Sequence, residues 1–270
     1  MLSLHRKNAR TSTLLTSLAA CAFLMPLTPV VAIAQLQQTA PQPDHSSPQP
    51  VPSIPGLKVL FGGKPDDLTN WEGGAGKPAK WTVEDGILIA TAPDSIQTKE
   101  LFTDCQLHVE FRVPYLPNAK GQSRGNSGVF LQDRYEMQVL DSFGITDPGS
   151  GDCGGVYSIH APLLNACKPP LQWQTYDIVF RAPRTDPATH KVTELPHVTV
   201  FLNGILVQNN VAIPRSTHMP KVKPGEAPPP PTLPNGFDTP GPIRLQWHGA
   251  KVAFRNIWIV PLALQGAQHY

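Results

Sequence analysis

The chain has 270 residues, in which 22 lysines and arginines nearly balance 20 aspartates and glutamates. A nucleic-acid-binding surface needs a basic patch or stripe, so this balance argues against a nucleic-acid partner. The 31 prolines exclude a mainly helical protein unless they are segregated. The length suits one large β domain or two small domains.

The first 34 residues have the pattern of a secretory signal peptide. A basic stretch around Arg6 precedes an apolar run over residues 14–34, which ends in small residues typical of a cleavage site. Two alternatives stay open: lipoprotein anchoring at Cys21, and a retained membrane anchor, for which the proline-interrupted run is short. We therefore expect an exported protein, periplasmic or secreted, with no integral membrane segment after the signal is removed.

Proline also marks the segment that follows. Residues 35–55 are polar and proline-rich without apolar periodicity, which predicts a disordered tether. A second proline-rich stretch, residues 214–242, lies between two late strands and is interpreted as an insertion, with a lid beside a binding face as the alternative. The last residues, 265–270, form a C-terminal tail.

Between these segments the chain has the pattern of short β-strands. In residues 106–113 apolar side chains occupy every second position, which is the period of a half-buried strand. Asn203-Gly204 is a strong signal for a two-residue hairpin turn. Many such strands, with no helical pattern of ten or more residues, predict one all-β domain over residues 56–264, a sandwich or jelly roll.

The cysteines after the signal segment are Cys105, Cys153 and Cys167. Cys153 and Cys167 lie in a long loop over residues 144–170, and an exported protein matures in an oxidising compartment, so we predict a disulfide between them. Closing such a loop would contribute about 3 kcal/mol. Cys105 begins an alternating strand and is expected to be a buried free thiol.

The densest polar pattern precedes and occupies the strand predicted over residues 135–141. On that strand Glu136 and Gln138 share one face, opposite apolar neighbours that would enter the core. Asp141 would join them only if a bulge shifted the register by one residue. The spacing E-x-Q-x-x-D is similar to the E-x-D-x-x-E strand of laminarinase-like glycosidases, but an amide replaces the middle carboxylate, which disfavours catalysis by paired carboxylates. Glu136 could also be a solvated strand residue.

A second polar pattern lies near the C-terminus. Arg244, Gln246 and His248 alternate with apolar residues, so one face of this predicted strand is polar and carries an imidazole. A lone histidine more often has a structural role. His248 matters for chemistry only if this strand faces Glu136.

Several long blocks of the sequence resemble the 3-keto-disaccharide hydrolase domain family. They include LFGGKPDDLTNWEG, GNSGVFLQDRYEMQVLDS and GPIRLQWHGAKVAFRNIWIVPL, and the resemblance covers about residues 57–262. The departures are Trp247, where an acidic residue is expected in many relatives, and the proline-rich insertion.

The resemblance implies a concanavalin-like β-sandwich of two antiparallel sheets, one of them curved into a groove for sugars. It also implies activity on glycosides that carry a ketone at C3. That ketone acidifies the hydrogen on C2, so a base can remove it, the C1 substituent can leave by elimination, and water can add back. A base, a donor for the enolate oxygen and an acid for the leaving group would suffice.

Under this resemblance Glu136 and His248 are the candidate catalytic residues, and either could be the base or the acid. The candidate substrate-binding residues are Arg124, Asn126, Gln138, Asp141, Tyr157, His160, Gln246 and Trp247. For Tyr157, His160 and Trp247, placed on the groove wall, the structural alternatives are a capping tyrosine, a surface histidine and a core tryptophan. No cofactor is predicted, although Glu136, Asp141 and His248 could bind a divalent metal, for which their spacing gives no signature.

Three functions remain compatible with such a fold. The leading hypothesis is an exported enzyme that cleaves 3-keto-glycosides by elimination and hydration. A lectin-like carbohydrate-binding module would keep the same sugar contacts and need no base. An ordinary retaining endoglucanase is disfavoured by Gln138 and Asp141.

Overall fold

The structure is a computed structural model, and it describes residues 40–91, 93–189, 191–217 and 239–262. The predicted signal peptide with Cys21, the first part of the predicted tether, most of the proline-rich insertion and the C-terminal tail lie outside these ranges. Within them, no helix has the length and apolar character needed to cross a membrane.

The described residues form three short 3-10 helices, Pro65–Asn70, Gly74–Gly76 and Gly121–Ser123, and fifteen strands. The strands are β1 (Lys58–Phe61), β2 (Trp71–Glu72), β3 (Thr82–Glu84), β4 (Ile87–Ile89), β5 (Ile96–Thr98), β6 (Cys105–Arg112), β7 (Ser127–Leu131), β8 (Tyr135–Val139), β9 (Gln174–Arg181), β10 (Arg184–Thr185), β11 (Val192–Glu194), β12 (His197–Leu202), β13 (Ile205–Ala212), β14 (Arg244–Leu245) and β15 (Ala253–Pro261).

Two antiparallel sheets contain all of these strands except the β10-β11 ribbon. The larger sheet has the order β13-β12-β9-β6-β15-β4-β3, with β1 also paired to β15, and the smaller sheet has the order β2-β5-β14-β7-β8. Two sheets that each bury one face against the other make a β-sandwich. The predicted all-β sandwich of two antiparallel sheets is therefore confirmed.

Turn chemistry fixes the hairpins of the larger sheet. Asn203 and Gly204, between β12 and β13, both have positive φ, at 55° and 78°, which is the conformation that a two-residue hairpin turn requires. The hairpin predicted from this dipeptide is thus confirmed. Asp85 and Gly86 play the same role between β3 and β4, with φ of 49° and 76°.

The hydrophobic core lies between the two sheets. Leu107, Val109 and Phe111 of β6 are fully buried there, as their alternation predicts. The rings of Tyr135 on the smaller sheet and Phe180 on the larger sheet approach to 5.6 Å between centroids. Each fully buried side chain of this size contributes about 1.5–3 kcal/mol, so the core fixes which face of each strand points outward.

The proline-rich segment before the domain differs from the predicted tether. Residues 40–55 have no regular secondary structure, apart from a turn at their end, but part of the segment is fastened to the outer face of the larger sheet. The Gln49 amide donates to Glu110 Oε1 at 2.7 Å, and Asn256 Nδ2 donates to the Gln49 carbonyl at 2.9 Å. Arg255 donates to the Ser47 carbonyl at 3.1 Å. We call residues 40–55 the strap. Its backbone polar groups anchor it, and these groups leave no trace in the periodicity of the sequence.

The cysteines also differ from the prediction. Cys153 and Cys167 are free thiols, so the predicted disulfide is not present. Hydrogen bonds close the surrounding loop, because Asn165 Nδ2 donates to the Ser142 carbonyl at 2.7 Å and the Cys153 amide donates to Ser142 Oγ at 3.0 Å. Cys105 is a free and fully buried thiol, as expected.

Candidate active site

A row of polar and aromatic residues crosses the outward face of the smaller sheet. The strand register places Glu136 opposite Phe130, Phe130 opposite Arg244, and Arg244 opposite Gln97. The row ends at Glu72, whose carboxylate accepts a hydrogen bond from Gln97 Nε2 at 2.9 Å. Side chains on directly paired residues point to the same face, so Glu136 and Arg244 lie on one surface, separated by Phe130.

A glycine occupies the centre of the neighbouring row. Gly128 pairs with Gln138, and its carbonyl accepts a hydrogen bond from the Gln246 amide at 3.0 Å. A Cβ at Gly128 would lie 2.4 Å from Glu136 Oε1 and 2.9 Å from the Phe130 ring. The Glu136 carboxylate therefore lies directly over position 128. A residue with a side chain at this position would displace Glu136 or Phe130.

Burial gives Glu136 unusual acid-base properties. Its side chain lies on β8 and is only 6% exposed. Desolvation raises its pKa from the usual 4.5 to about 7, while the nearby positive charge of Arg244 opposes that rise. A carboxyl group with such a pKa can act as a base or an acid near neutral pH. Glu136 is thus not a solvated strand residue.

Arg244 is held in place by two neighbours. Its guanidinium carbon lies 3.6 Å from the centroid of the Phe130 ring, and its Nε forms an ion pair with Asp133. A cation over an aromatic face in a partly desolvated setting is attracted by about 1–2 kcal/mol. Arg244 therefore presents a positioned positive charge on the same face as Glu136.

Gln138 is buried beside Glu136 under two loops. Its Nε2 donates to Gln122 Oε1 at 2.8 Å and to the Gly151 carbonyl at 3.2 Å. Asn126 Nδ2 donates to the carbonyl and the side-chain oxygen of Gln122, at 2.8 and 3.1 Å. Gln122 thus connects two of the predicted substrate-binding residues.

Asp141 does not join Glu136 in a carboxylate pair. The β7-β8 register runs from Ser127↔Val139 to Leu131↔Tyr135 without a shift, and β8 ends before Asp141, so the bulge considered for this strand is absent from it. Asp141 instead accepts a hydrogen bond from Arg124 Nη2 at 2.9 Å and is buried. Arg124 and Asp141 neutralise each other at one end of the face.

The loop that carries Tyr157 and His160 covers the open edge of β8. The Tyr157 amide donates to the Glu136 carbonyl at 3.0 Å, and its ring lies near Gly151. His160 is exposed overall, but its Nδ1 is 2.8 Å from Gln208 Oε1 on the larger sheet. The structure brings Tyr157 to the site, and it directs the His160 ring to Gln208.

The segment after Arg244 departs from the predicted strand. β14 ends at Leu245, and His248 is exposed beyond it. Within the described ranges no hydrogen bond or ion pair joins His248 to Glu136. Trp247 is half-buried and packs against the hydrophobic core. The side-chain oxygen of Gln246 is buried and has no hydrogen-bond partner in the described part of the chain.

Glu136, Asp141 and His248, the candidate metal ligands, do not form one group. In the part of the chain that the structure describes, no three His, Cys, Asp or Glu side chains form a group that could hold a metal ion. Asp141 is already paired with Arg124, and His248 is exposed beyond the strand. The set Glu136, Asp141 and His248 therefore does not fit a metal site.

Three residues of the candidate site are not among the site residues predicted from the sequence. Gln122 lies in a 3-10 helix outside any strand pattern, and Gly128 is recognisable only from the carboxylate folded over it. The sequence places Arg244 on the polar face of its strand. It does not show that Arg244 lies near Glu136, because the residue between them, Phe130, belongs to another strand. The position of β7 between β8 and β14 in the sheet cannot be deduced from the pattern within any one strand.

Comparisons with known proteins agree with this architecture. Residues 56–260 match the family described as 3-keto-alpha-glucoside-1,2-lyase-like domain. A candidate glycosyl hydrolase from Parabacteroides distasonis ATCC 8503 is 35% identical, covering 81% of this chain and 95% of that one, with a TM-score of 0.67. Two further candidate glycosyl hydrolases from the same organism are similar. One is 25% identical, covering 76% of this chain and 99% of that one, with a TM-score of 0.51. The other is 20% identical, covering 77% and 94%, with a TM-score of 0.54. No protein of curated function matches this chain.

Proposed function

Because the chain belongs to the 3-keto-alpha-glucoside-1,2-lyase-like domain family, we propose that it cleaves glycosides oxidised to a ketone at C3. The solved relatives, described as candidate glycosyl hydrolases, support a carbohydrate-active enzyme. The observation that carries the proposal is the buried Glu136 carboxyl group, whose pKa is raised to about 7. Among the described residues, no second carboxylate is paired with it as in an ordinary glycosidase.

Glu136 is the proposed base. Its carboxylate takes the proton from C2, and the electrons of that C–H bond delocalise into the C3 ketone as an enolate. A base with a pKa near the working pH combines sufficient ionisation with sufficient basicity. Burial beneath the loops keeps bulk water from the carboxylate, and this is the cause of the raised pKa.

Arg244 is the proposed electrostatic partner of the enolate. It lies on the same face as Glu136, and a fixed cation there stabilises negative charge that develops on the C3 oxygen. Collapse of the enolate breaks the bond from C1 to the leaving oxygen, which takes up a proton. Water then adds its oxygen to C1, and C2 regains a proton, so the net reaction is hydrolysis.

His248 stays a candidate for the acid that protonates the leaving group. Its exposed position beyond β14 suits a group that meets the departing aglycone at the rim of the face. A His248→Ala variant would then lose most activity with poor leaving groups and little with a nitrophenyl leaving group, whose oxygen needs no proton to depart.

The decisive comparison is between a 3-keto-glucoside and its unoxidised parent. We expect purified protein to release the aglycone from the keto compound alone, because only the ketone acidifies C2. Cleavage of the parent would identify an ordinary glycosidase. Measurable binding of the parent sugar, with cleavage of neither compound, would identify a lectin-like module instead.

Export is part of the same proposal. The basic residues around Arg6 and the apolar run that follows them support it. Expression of the full chain followed by N-terminal sequencing of the periplasmic fraction tests it, with cleavage expected after residue 34. Retention of the intact N-terminus in the cytoplasm would refute export.

A further inference from the structure

Gln138 lies beside Glu136, and most of its polar atoms are hydrogen-bonded. The Gln138 amide donates to the Gly155 carbonyl at 3.0 Å, and the Gln138 carbonyl accepts from Gly154 at 3.2 Å and from the Tyr176 hydroxyl. Both hydrogens of its Nε2 are used, by Gln122 and by the Gly151 carbonyl. Its Oε1 is buried and has no hydrogen-bond partner among the residues that the structure describes.

The orientation of this amide is fixed by a group that can only accept. The Gly151 carbonyl lies 3.2 Å from Gln138 Nε2 and 2.8 Å from Gln122 Nε2, so nitrogen, not oxygen, must face it. The Gln122 side-chain oxygen then receives hydrogen bonds from Gln138 and from Asn126. This relay directs Gln138 Oε1 away from the loop that covers it.

The unpaired oxygen lies on the same face as the proposed base. Gln138 is two residues from Glu136 along β8, and its pairing partner across the sheet is Gly128, which has no side chain. Gln246, on the far side of Gly128, has a second buried side-chain oxygen, which also has no partner within the described ranges. A buried acceptor without a donor is unfavourable, and few occur in folded proteins.

We propose that Gln138, oriented by Gln122, is a specificity determinant that accepts a hydrogen bond from one hydroxyl group of the sugar ring. The proposal rests on the function proposed above and adds the substrate feature that this position reads. A hydroxyl is the donor that a neutral sugar offers, whereas a ketone or carboxylate oxygen would face an acceptor and be repelled. Gln122 does not touch the sugar in this account and is a positioning residue.

Single-deoxy substrates test the proposal. Methyl 3-keto-glucoside is compared with analogues that lack the 2-, 4- or 6-hydroxyl in wild-type protein, Gln138→Met and Gln122→Met. In the wild type we expect one analogue to lose about 10- to 100-fold in kcat/KM. That loss should shrink to about twofold or less in Gln138→Met, because methionine fills the same volume without the acceptor. Gln106→Met, on β6 of the larger sheet, is the matched control and should keep the full loss.

The positioning role of Gln122 needs its own readout. Gln122→Met should reduce the deoxy penalty as Gln138→Met does. Gln122→Glu keeps an oxygen that accepts from Gln138 Nε2 but sets its other oxygen against the Gly151 carbonyl, so it should restore the penalty in part. A merely structural residue would change stability in both variants and leave the penalty unchanged. A deoxy penalty that is absent in the wild type, or that persists in Gln138→Met, overturns the proposal.

Failure of the chemistry can be separated from failure of the subsite. If the wild type releases no aglycone from the keto compound, calorimetry with methyl glucoside and the same deoxy analogues measures binding alone. Loss of affinity for one analogue in the wild type, and its absence in Gln138→Met, would support the subsite without the reaction. A wild-type protein that binds none of these glycosides would refute the subsite.

Discussion

Replacing Glu136 with glutamine removes the proposed base and a destabilising buried charge in one step. In the folded protein the pKa of Glu136 is raised from 4.5 to about 7, so the folded state keeps a proton that the unfolded state releases. Stability is therefore lost as pH rises between these two values. At about 1.4 kcal/mol for each tenfold change in proton binding, the cost of the ionised carboxylate is about 3 kcal/mol above pH 7.

Glu136→Gln should thus be more stable than the wild type at pH 8 and similar to it at pH 4, where both chains carry a neutral side chain. Urea unfolding at the two pH values measures the difference in the free energy of unfolding, which should widen by about 3 kcal/mol towards pH 8. Glu84→Gln, at an exposed strand position, is the matched control and should show no such widening. An equal difference at both pH values for Glu136→Gln would refute the reasoning about its burial, and full catalytic activity would refute its role as base.

Three further variants test the surroundings of this carboxylate and the strap. Gly128→Ala would place a Cβ 2.4 Å from Glu136 Oε1. We expect a folded protein that is less stable by about 1–3 kcal/mol and whose kcat falls at least tenfold. An unchanged kcat would contradict the close approach of the Glu136 carboxylate to position 128. Arg244→Met removes a charge that lowers the pKa of Glu136, so the rising limb of the pH profile of kcat/KM should move to higher pH; a move to lower pH would refute the coupling. Glu110→Gln leaves Arg255, which donates to Glu110 Oε2 at 2.6 Å, buried without its counter-charge, at a cost of about 3–5 kcal/mol. Hydrogen exchange should then show faster exchange at Gln49, whose amide Glu110 accepts, and protection equal to wild type would contradict the anchoring of the strap.

The alternation of apolar and polar residues along single strands is sufficient to predict the fold class and the face shared by Glu136 and Gln138. The period of two in β6 predicts which of its side chains enter the core, and the same period in β8 predicts that Glu136 and Gln138 share a face. Local turn chemistry at Asn203-Gly204 predicts the hairpin. Each of these features is determined by residues next to one another in the chain.

Features set by distant pairing could not be predicted in the same way. The strap is held by Glu110, Arg255 and Asn256, which lie far along the chain from residues 40–55 and satisfy its backbone groups. The orientation of Gln138 depends on Gln122 and on a carbonyl in another loop. The cysteine spacing predicts a disulfide between Cys153 and Cys167, but both are free thiols, because spacing along the chain does not determine how two side chains are oriented.

The position of solvent hydrogen in the product tests the central claim most directly. In deuterium oxide we expect elimination followed by hydration to leave deuterium on C2 of the released 3-keto sugar, because the proton that Glu136 removes exchanges with the water that enters for hydration before C2 is protonated again. Nuclear magnetic resonance at early times, against a sample without enzyme, should show deuterium at C2 in step with aglycone release, and neither event in Glu136→Gln. Aglycone release with the original hydrogen still on C2 would contradict the account.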